Sequence, residues 1–480
     1  MSLGSFYWTS FFAAGFLAVV LQIYARSEDA KAAKKEGNES KANVTSGRFQ
    51  AFQRNYILVF LLAMFADWLQ GPYVYELYVS YGFDQAAIAE LFVCGFLSSM
   101  VVGTFIGGLA DKLGRRNACI LYCLTYGTAC FTKLVNDYWV LMLGRFLSGV
   151  ATSLLFSVFE AWMVCEHKNQ GFDPKLIGDT FSNAVFGNGL VAVIAGFVAN
   201  YAANTYGNVA PFVVAVIPLG LVAIICSTSW AENYGNQSLN YLSSLRQGFE
   251  LVQSDSRIAA LGMAQSCFEG AMYTFVFMWT PALKPEDGTI AVEGEETVSD
   301  YLGFIFAVFM VCVMVGSSVF KIFSQKPKAL YKIPLYLHAA AFFSMAGVTL
   351  FLENKTIVYM CFLVFEASVG VFWPAYGTIK SEKIPEDIRS AVMNIFRIPL
   401  NAFVVLLLLK VKYLDSSTVF TICAVAHGVA FMCYLYFYNT LKSSERDGEV
   451  GSGGKDTDLE LDKISDLEGL LDKEKDDHHV

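Results

Sequence analysis

Apolar runs long enough to cross a lipid bilayer follow one another along almost the whole chain. A bilayer core requires about 20 apolar residues per helix, and thirteen such runs occur, joined mostly by short polar connections. They lie near residues 3–25, 52–75, 86–109, 117–136, 139–163, 179–202, 209–230, 257–281, 301–323, 333–352, 356–379, 391–411 and 416–440. Because 55% of the residues are hydrophobic and only 16% are charged, a soluble fold is excluded. We therefore expect an all-helical protein embedded in a lipid bilayer.

Charge and cysteine placement exclude two other classes of protein. The net charge of −9 comes almost entirely from residues 445–480, which contain 13 acidic and 5 basic residues. No basic excess remains for nucleic acid, so we expect no nucleic-acid partner. Ten of the eleven cysteines lie inside apolar runs, which is typical of small buried side chains rather than disulfides or a zinc site. We expect no metal and no cofactor.

Lysine and arginine are concentrated in alternate connections between the runs, which predicts the orientation in the membrane. The set of connections that is poor in basic residues carries only Lys284, Lys355 and Lys412. The rich set carries Arg26, Lys31, Lys34, Lys35, Lys41, Arg48, Lys112, Arg115, Arg116, Lys168, Lys175, Arg246, Lys326, Lys328, Lys383 and Arg389. We therefore expect the rich set and the acidic tail in the cytoplasm, and residue 1 outside. The plasma membrane is the first expectation, but Asp466 with Leu470 and Leu471 also fits an acidic di-leucine sorting pattern, so an endomembrane remains open.

The first run is interpreted as a retained anchor rather than a cleaved signal peptide. It lacks a basic segment at its start, and Ala25-Arg26-Ser27 is a poor cleavage site. The predicted organisation is an anchor helix, a cytoplasmic linker, a six-helix bundle, a central cytoplasmic loop, a second six-helix bundle and an acidic cytoplasmic tail. Their boundaries are 1–25, 26–51, 52–230, 231–256, 257–440 and 441–480.

The string GGLADKLGRR at 107–116 resembles the loop signature of the major facilitator superfamily. Gly107 allows helices to approach closely, Gly114 permits a tight turn, and Asp111 with Arg115 and Arg116 can form a charge cluster at a helix end. In that superfamily the cluster latches the outward-open state, so the resemblance implies a gating role. The alternative is that these are ordinary positive charges of a cytoplasmic loop.

Longer strings resemble the molybdate-anion transporter family within that superfamily. They are ADWLQGPYVYELY (66–78), LTYGTACFTKL (124–134), LLFSVFEAWMVCEH (154–167), WAENY (230–234), FVFMWTP (275–281) and NIFRIPL (394–400). The resemblance covers residues 1–440 and implies the major facilitator fold, two six-helix bundles plus one extra N-terminal transmembrane helix. It also implies uptake of the molybdate oxyanion by a secondary carrier that works by alternating access.

Six charges lie deep inside the apolar runs, where each costs at least about 2.5–3.5 kcal/mol unless it has a cavity or a partner. They are Asp67, Arg145, Glu160, Glu269, Glu366 and Arg397. Five of the six fall on the helices that line the central cavity in this superfamily. Helical spacing places Gln70 beside Asp67, Tyr273 beside Glu269, and Trp373 beside Glu366.

Arginine matches paired oxygens of an oxyanion with a planar fork of donors, so Arg145 and Arg397 are the predicted anion binders; their positions along their helices leave open whether they share one depth. The remaining predicted substrate-binding residues are Asp67, Gln70, Glu269, Tyr273, Glu366 and Trp373. Proton coupling is assigned to Asp67, Glu269 and Glu366, and gating to Glu160. The alternative for the arginines is a buried ion pair with Asp67 or Glu366.

No catalytic motif occurs in the sequence, so we expect no catalytic residues and no enzyme. The predicted function is uptake of a small oxyanion, molybdate first, by a monomer. Three alternatives remain: a carrier of another small anion or solute, a membrane sensor that does not transport, and a membrane enzyme that uses the buried carboxylates. His338 and His427 are interpreted as packing residues rather than a proton relay.

Overall fold

The computed structural model describes residues 2–35, 47–235, 241–284, 296–324 and 327–443. Every regular element in these ranges is helical. The longer helices are α1 (Leu3–Lys35), α2 (Gly47–Gln70), α3 (Val74–Ser80), α4 (Gln85–Leu113), α5 (Arg115–Thr132), α6 (Tyr138–Leu155), α7 (Val158–Asn169), α8 (Lys175–Tyr206), α9 (Ala210–Ser229), α10 (Tyr241–Ser254), α11 (Ser256–Leu283), α12 (Leu302–Ser324), α13 (Pro327–Leu330), α14 (Ile333–Leu350), α15 (Lys355–Lys383), α16 (Glu386–Lys410) and α17 (Ser416–Ser443). The di-leucine pattern and the acidic tail lie outside the described residues.

Two bundles of six helical segments form the body, α2 to α9 in the first and α11 to α17 in the second. In the described part of the chain, eleven helical stretches are long and apolar enough to cross a membrane. The helices α5 and α11 occupy two of the thirteen predicted runs but are more polar. Arg115 and Arg116 open α5, and Gln265 and Glu269 lie within α11.

Two predicted runs are interrupted. In the first, a short 3₁₀ turn at Gly71–Tyr73 separates α2 from α3, with Pro72 inside it. Proline removes a backbone donor and disturbs a continuing helix. In the second, the run predicted at 139–163 breaks between Leu155 and Val158, and Glu160 therefore lies in the first turn of α7. A carboxylate is favourable at that position because it faces the positive end of the helix dipole.

The extra helix α1 continues to Lys35, beyond its predicted end at residue 25, and it packs against the body. The hydroxyl groups of Ser10 and Tyr359 lie 2.8 Å apart, and Ser318 donates a 3.0 Å hydrogen bond to Gln22. Trp8 contacts Phe304 of the second bundle, with ring centroids 4.6 Å apart. The helix is therefore part of the folded body and not a free anchor.

The bundles meet most closely where α8 crosses α12. Gly196 and Gly303 face each other so tightly that a Cβ on either would collide with the other's carbonyl oxygen. Small residues allow this approach of helix backbones in membranes. Beside the crossing, Asn200 accepts hydrogen bonds from Tyr73 at 3.1 Å and from the backbone of Phe304 at 3.3 Å.

Candidate functional site

The two ends of the first bundle differ in the basic residues at or beside their connections, with one end carrying Lys112, Arg115, Arg116, Lys168 and Lys175 and the other carrying Lys133. We call the end with the connections at 114, 170–174 and 231–235 the basic end, and the end with the connections at 81–84, 133–137 and 207–209 the closed end. At the closed end, the ammonium group of Lys284 on the second bundle pairs with the carboxylate of Glu76 on the first. Ser299 donates a second bond to Glu76 at 3.2 Å. These contacts hold the bundles together at the closed end.

Aromatic side chains continue this closure toward the middle of the helices. The ring of Phe277 contacts Tyr75 at 5.4 Å and Phe92 at 5.3 Å, and the ring of Phe96 contacts Tyr273 at 5.0 Å. In each pair one ring comes from each bundle. We call these five side chains the aromatic layer. It separates the closed end from the interior of the molecule.

Arg397 lies on the other side of the aromatic layer, midway along α16. A Cβ built at Gly103 of the first bundle would lie 3.7 Å from its guanidinium nitrogen, yet the Arg397 side chain is exposed. An exposed charge between two bundles requires water in the gap between them. Arg397 is therefore exposed in the gap between the bundles, whereas Glu76 at the closed end is buried.

Three charged residues and one tyrosine gather around this gap. Glu269 on α11 is 6% exposed, accepts a 2.7 Å hydrogen bond from Gln265, and lies within electrostatic reach of Lys380 and Arg397. Tyr273 lies within reach of Glu269 and Arg397. We call Glu269, Tyr273, Lys380 and Arg397 the central cluster. Its two cations exceed its one carboxylate, so the cluster has a net positive charge.

Lys380 was not among the predicted site residues. It lies on α15, 14 residues after Glu366 in sequence, and helical spacing places it on the face of Glu366, but its position near a helix end gave no reason to assign it to binding. The described residues contain no hydrogen bond or ion pair from the side chain of either Lys380 or Arg397. Neither cation is held by a direct bond within this part of the chain, although Glu269 lies within electrostatic reach of both.

Arg145 is not brought to the central cluster. Its Nε donates a 3.2 Å hydrogen bond to the carbonyl of Leu91, and its guanidinium lies 4.7 Å from the ring centroid of Phe92. Arg145 meets α4 at Gly95, whereas Arg397 meets it at Gly103, eight residues further along, so the two guanidinium groups lie at different positions along that helix. The assignment of both arginines as anion binders stays a prediction.

Asp67 and Gln70 are satisfied within the first bundle. Tyr126 donates a 2.7 Å hydrogen bond to Asp67, and Gln70 donates to the carbonyl of Ala66 on its own helix at 3.2 Å. Trp68 donates to Asn188 at 2.8 Å, which gives it a structural partner. In the described residues, the alternative ion pair between Asp67 and an arginine is not formed.

The predicted shared face of Glu366 and Trp373 is only partly present. Glu366 is buried near Cys312 of α12 without a basic partner among the described residues, whereas Trp373 is 48% exposed.

The two histidines of the second bundle, His338 and His427, both pack around Phe268, and His338 shares a 2.7 Å hydrogen bond with Tyr376. His427 is fully buried, in agreement with its interpretation as a packing residue.

The loop signature forms one part of the predicted charge cluster, the pair of Asp111 and Arg115, while the guanidinium of Arg116 lies 3.6 Å from Glu232. Arg115 pairs with Asp111 at 2.7 Å, and Gly114 adopts a left-handed φ of 100° at the turn. Glu232, which was not predicted, accepts hydrogen bonds from the backbone of Arg116 at 2.9 Å and of Asn117 at 3.3 Å. The carboxylate thereby satisfies the free donors at the start of α5. These contacts all lie within the first bundle.

Glu160 lies close to this cluster. A cleft of about 560 Å³ at the basic end is lined by the side chains of Arg115, Glu160 and Lys168, among others. Arg115 also donates a 3.1 Å bond to the carbonyl of Ala161, which connects the signature to α7. The surroundings of Gly107, whose predicted role is close helix approach, lie outside the described part of the structure.

Comparison with known proteins identifies the chain. A family model described as sugar transporters with 12 transmembrane segments matches residues 9–370. The molybdate-anion transporter of Xenopus laevis is 35% identical over 82% of this chain and 88% of its own length, and that of Takifugu rubripes is 34% identical over 88% and 92%. The chain belongs to the molybdate-anion transporter family of the major facilitator superfamily. This family member is therefore a multi-pass membrane transporter and not an enzyme.

The fold of this family member agrees with that assignment. A variant of the nucleoside transporter NupG superposes with a TM-score of 0.64 over 80% of this chain and 98% of its own, at 13% identity. At such low identity the likeness shows the fold alone. The prediction of a major facilitator fold is thus confirmed.

Proposed function

We propose that this transporter carries molybdate through alternating access of its two bundles, with the central cluster as the binding site. The observation that carries the proposal is the water-accessible, net positive gap around Arg397. Curated relatives that are named for molybdate support the choice of substrate. The fork of Arg397 suits two oxygens of a tetrahedral oxyanion, and Lys380 supplies a second positive charge.

Glu269 gives the central cluster a means of coupling to protons. A membrane potential of about 100 mV opposes inward movement of a dianion by about 4.6 kcal/mol, which corresponds to roughly a two-thousandfold gradient. Ionised Glu269 competes with the dianion for Lys380 and Arg397. When Glu269 takes a proton, both cations become available, so a proton and molybdate bind together. Glu366 and Asp67 are the other carboxylates proposed for this role.

The basic end faces the cytoplasm in this proposal, because basic connections stay on that side of a membrane. The structure then represents an inward-facing state, with the closed end toward the outside. The proposed location is the plasma membrane, and the proposed functional unit is a monomer. Arg145 contributes on the outer side of the aromatic layer.

The decisive experiment measures uptake of labelled molybdate in cells that lack their own carriers. Tungstate, a tetrahedral dianion of similar size, should compete strongly, while phosphate and sulfate should compete weakly. Arg397→Gln should abolish uptake, while Arg246→Gln, on an exposed pair in α10, serves as the matched control. Uptake of sulfate in preference to molybdate would replace molybdate with another oxyanion, and absence of any anion uptake would refute the proposal.

A further inference from the structure

Lys133 is the most buried charged side chain among the Lys, Arg, Asp and Glu residues that the structure describes, at 1% exposure. It caps the C-terminal end of α5, near the closed end of the first bundle. Its ammonium group donates a 2.5 Å hydrogen bond to the hydroxyl of Tyr78 and lies 4.9 Å from the centroid of that ring. A hydroxyl and a ring face compensate only part of the cost of burying a full charge.

Arg145 lies next to Lys133. The side chain of Thr132 packs directly against Gly144, so the residues that follow them, Lys133 at the end of α5 and Arg145 on α6, lie next to the same helix contact. The positive charge of Arg145 acts on Lys133. The guanidinium also packs against Gly95, where a Cβ would lie 2.9 Å from one of its nitrogens. Two cations thus share one small volume.

No carboxylate in the described part of the chain pairs with either cation. The nearby groups that act on Lys133 are Arg145 and the thiols of Cys94 and Cys130. Glu90 lies one turn from Cys94, but it accepts a hydrogen bond from Tyr138 instead. A buried cation beside a half-buried one, without a counterion, is unfavourable unless an anion joins them. The arrangement is therefore complementary to a divalent oxyanion.

We propose that Lys133, Arg145 and Tyr78 form a second anion site, which receives the substrate before it reaches the central cluster. This inference rests on the proposed function. In the present conformation Phe92 of the aromatic layer packs on Arg145, and Phe92 and Tyr75 of the first bundle both pack on Phe277 of the second. Opening of the closed end separates these rings and exposes the site. Closing of the layer then leaves Arg397 as the next cation along the path.

The test compares molybdate uptake kinetics of the full-length protein with those of three lysine variants. Lys133→Met keeps the length of the side chain but removes its charge, and we expect KM to rise about tenfold or more, as for loss of a hydrogen bond to a charged group. Lys133→Arg retains the charge and should bring KM back to within about threefold of wild type. Lys412→Met is the matched control, because Lys412 also lies 4.9 Å from a tyrosine ring at the same end but is exposed. Its KM should not change.

A KM for Lys133→Met within about twofold of wild type would overturn the second site while leaving the proposed function intact. If wild type takes up no molybdate, the proposed function fails first, and this inference fails with it. Should Lys133→Met not fold, Tyr78→Phe decides the matter, because it removes only the oxygen that positions the ammonium. An unchanged KM in Tyr78→Phe, together with unchanged KM in Arg145→Gln, would likewise reject the site.

Discussion

The ion pair between Glu76 and Lys284 offers a direct test of which end of the molecule opens. The two side chains are 10% and 24% exposed and lie on opposite bundles, and Ser299 adds a further hydrogen bond to the same carboxylate. Hydrogen bonds to charged groups contribute about 1.5–3 kcal/mol. Glu76→Gln keeps the shape and the bond to Ser299 but removes the charge. We therefore expect the equilibrium to shift toward opening of the closed end by roughly 10-fold to 150-fold.

Amide hydrogen exchange measures this shift without an attached probe. This is useful because the chain has 11 cysteines, which would complicate attachment of a thiol-reactive probe at one chosen position. Exchange in residues 74–80 and 298–304 should accelerate by a similar factor in Glu76→Gln and in Lys284→Met, because opening exposes these amides. The double variant should add little to either single change, since both remove one interaction. Glu250→Gln, which breaks the exposed pair with Arg246, is the control. If the rate of uptake changes in either direction while amide exchange at the closed end stays the same, the reasoning is refuted.

Two further predictions concern the coupling carboxylates and the crossing of the bundles. Glu269→Gln should flatten the pH dependence of molybdate uptake, because the carboxylate no longer competes for the cations. Unaltered pH profiles in both Glu269→Gln and Glu366→Gln would remove these residues from proton coupling. Gly196→Val should lower the melting temperature and the yield of folded protein, since its side chain would collide with the backbone of Gly303. Gly220→Ala meets open space and should leave both unchanged, so an equal loss in the two variants would contradict the packing argument.

Much of the architecture follows from local patterns. Apolar runs of sufficient length predict helices that span a bilayer, and the spacing within GGLADKLGRR predicts the pair between Asp111 and Arg115, which are one helical turn apart. The arginine fork made Arg397 a predicted site residue before its surroundings were known. The break between α6 and α7 was missed, because an apolar run does not show where its backbone hydrogen bonds fail.

Residues whose role depends on distant partners could not be found in the same way. Lys380 resembles any basic residue near a helix end until α15 is placed beside α11. Glu232 caps a helix that begins 117 residues earlier. Lys133 lies near the edge of an apolar run, where a lysine usually extends to the interface, and only tertiary packing shows that it is buried. Long-range pairing of charges is set by the arrangement of helices, which local sequence does not determine.

The position of α1 places a fluorescent side chain, Trp8, where it contacts both bundles. The indole of Trp8 lies against Phe304 of one bundle and, at 6.2 Å, against Phe197 of the other. If the bundles rotate relative to each other, the polarity around this indole changes with every turnover. Replacement of the other six tryptophans by phenylalanine would leave one native fluorophore at the seam. Its emission wavelength would then follow the carrier in real time.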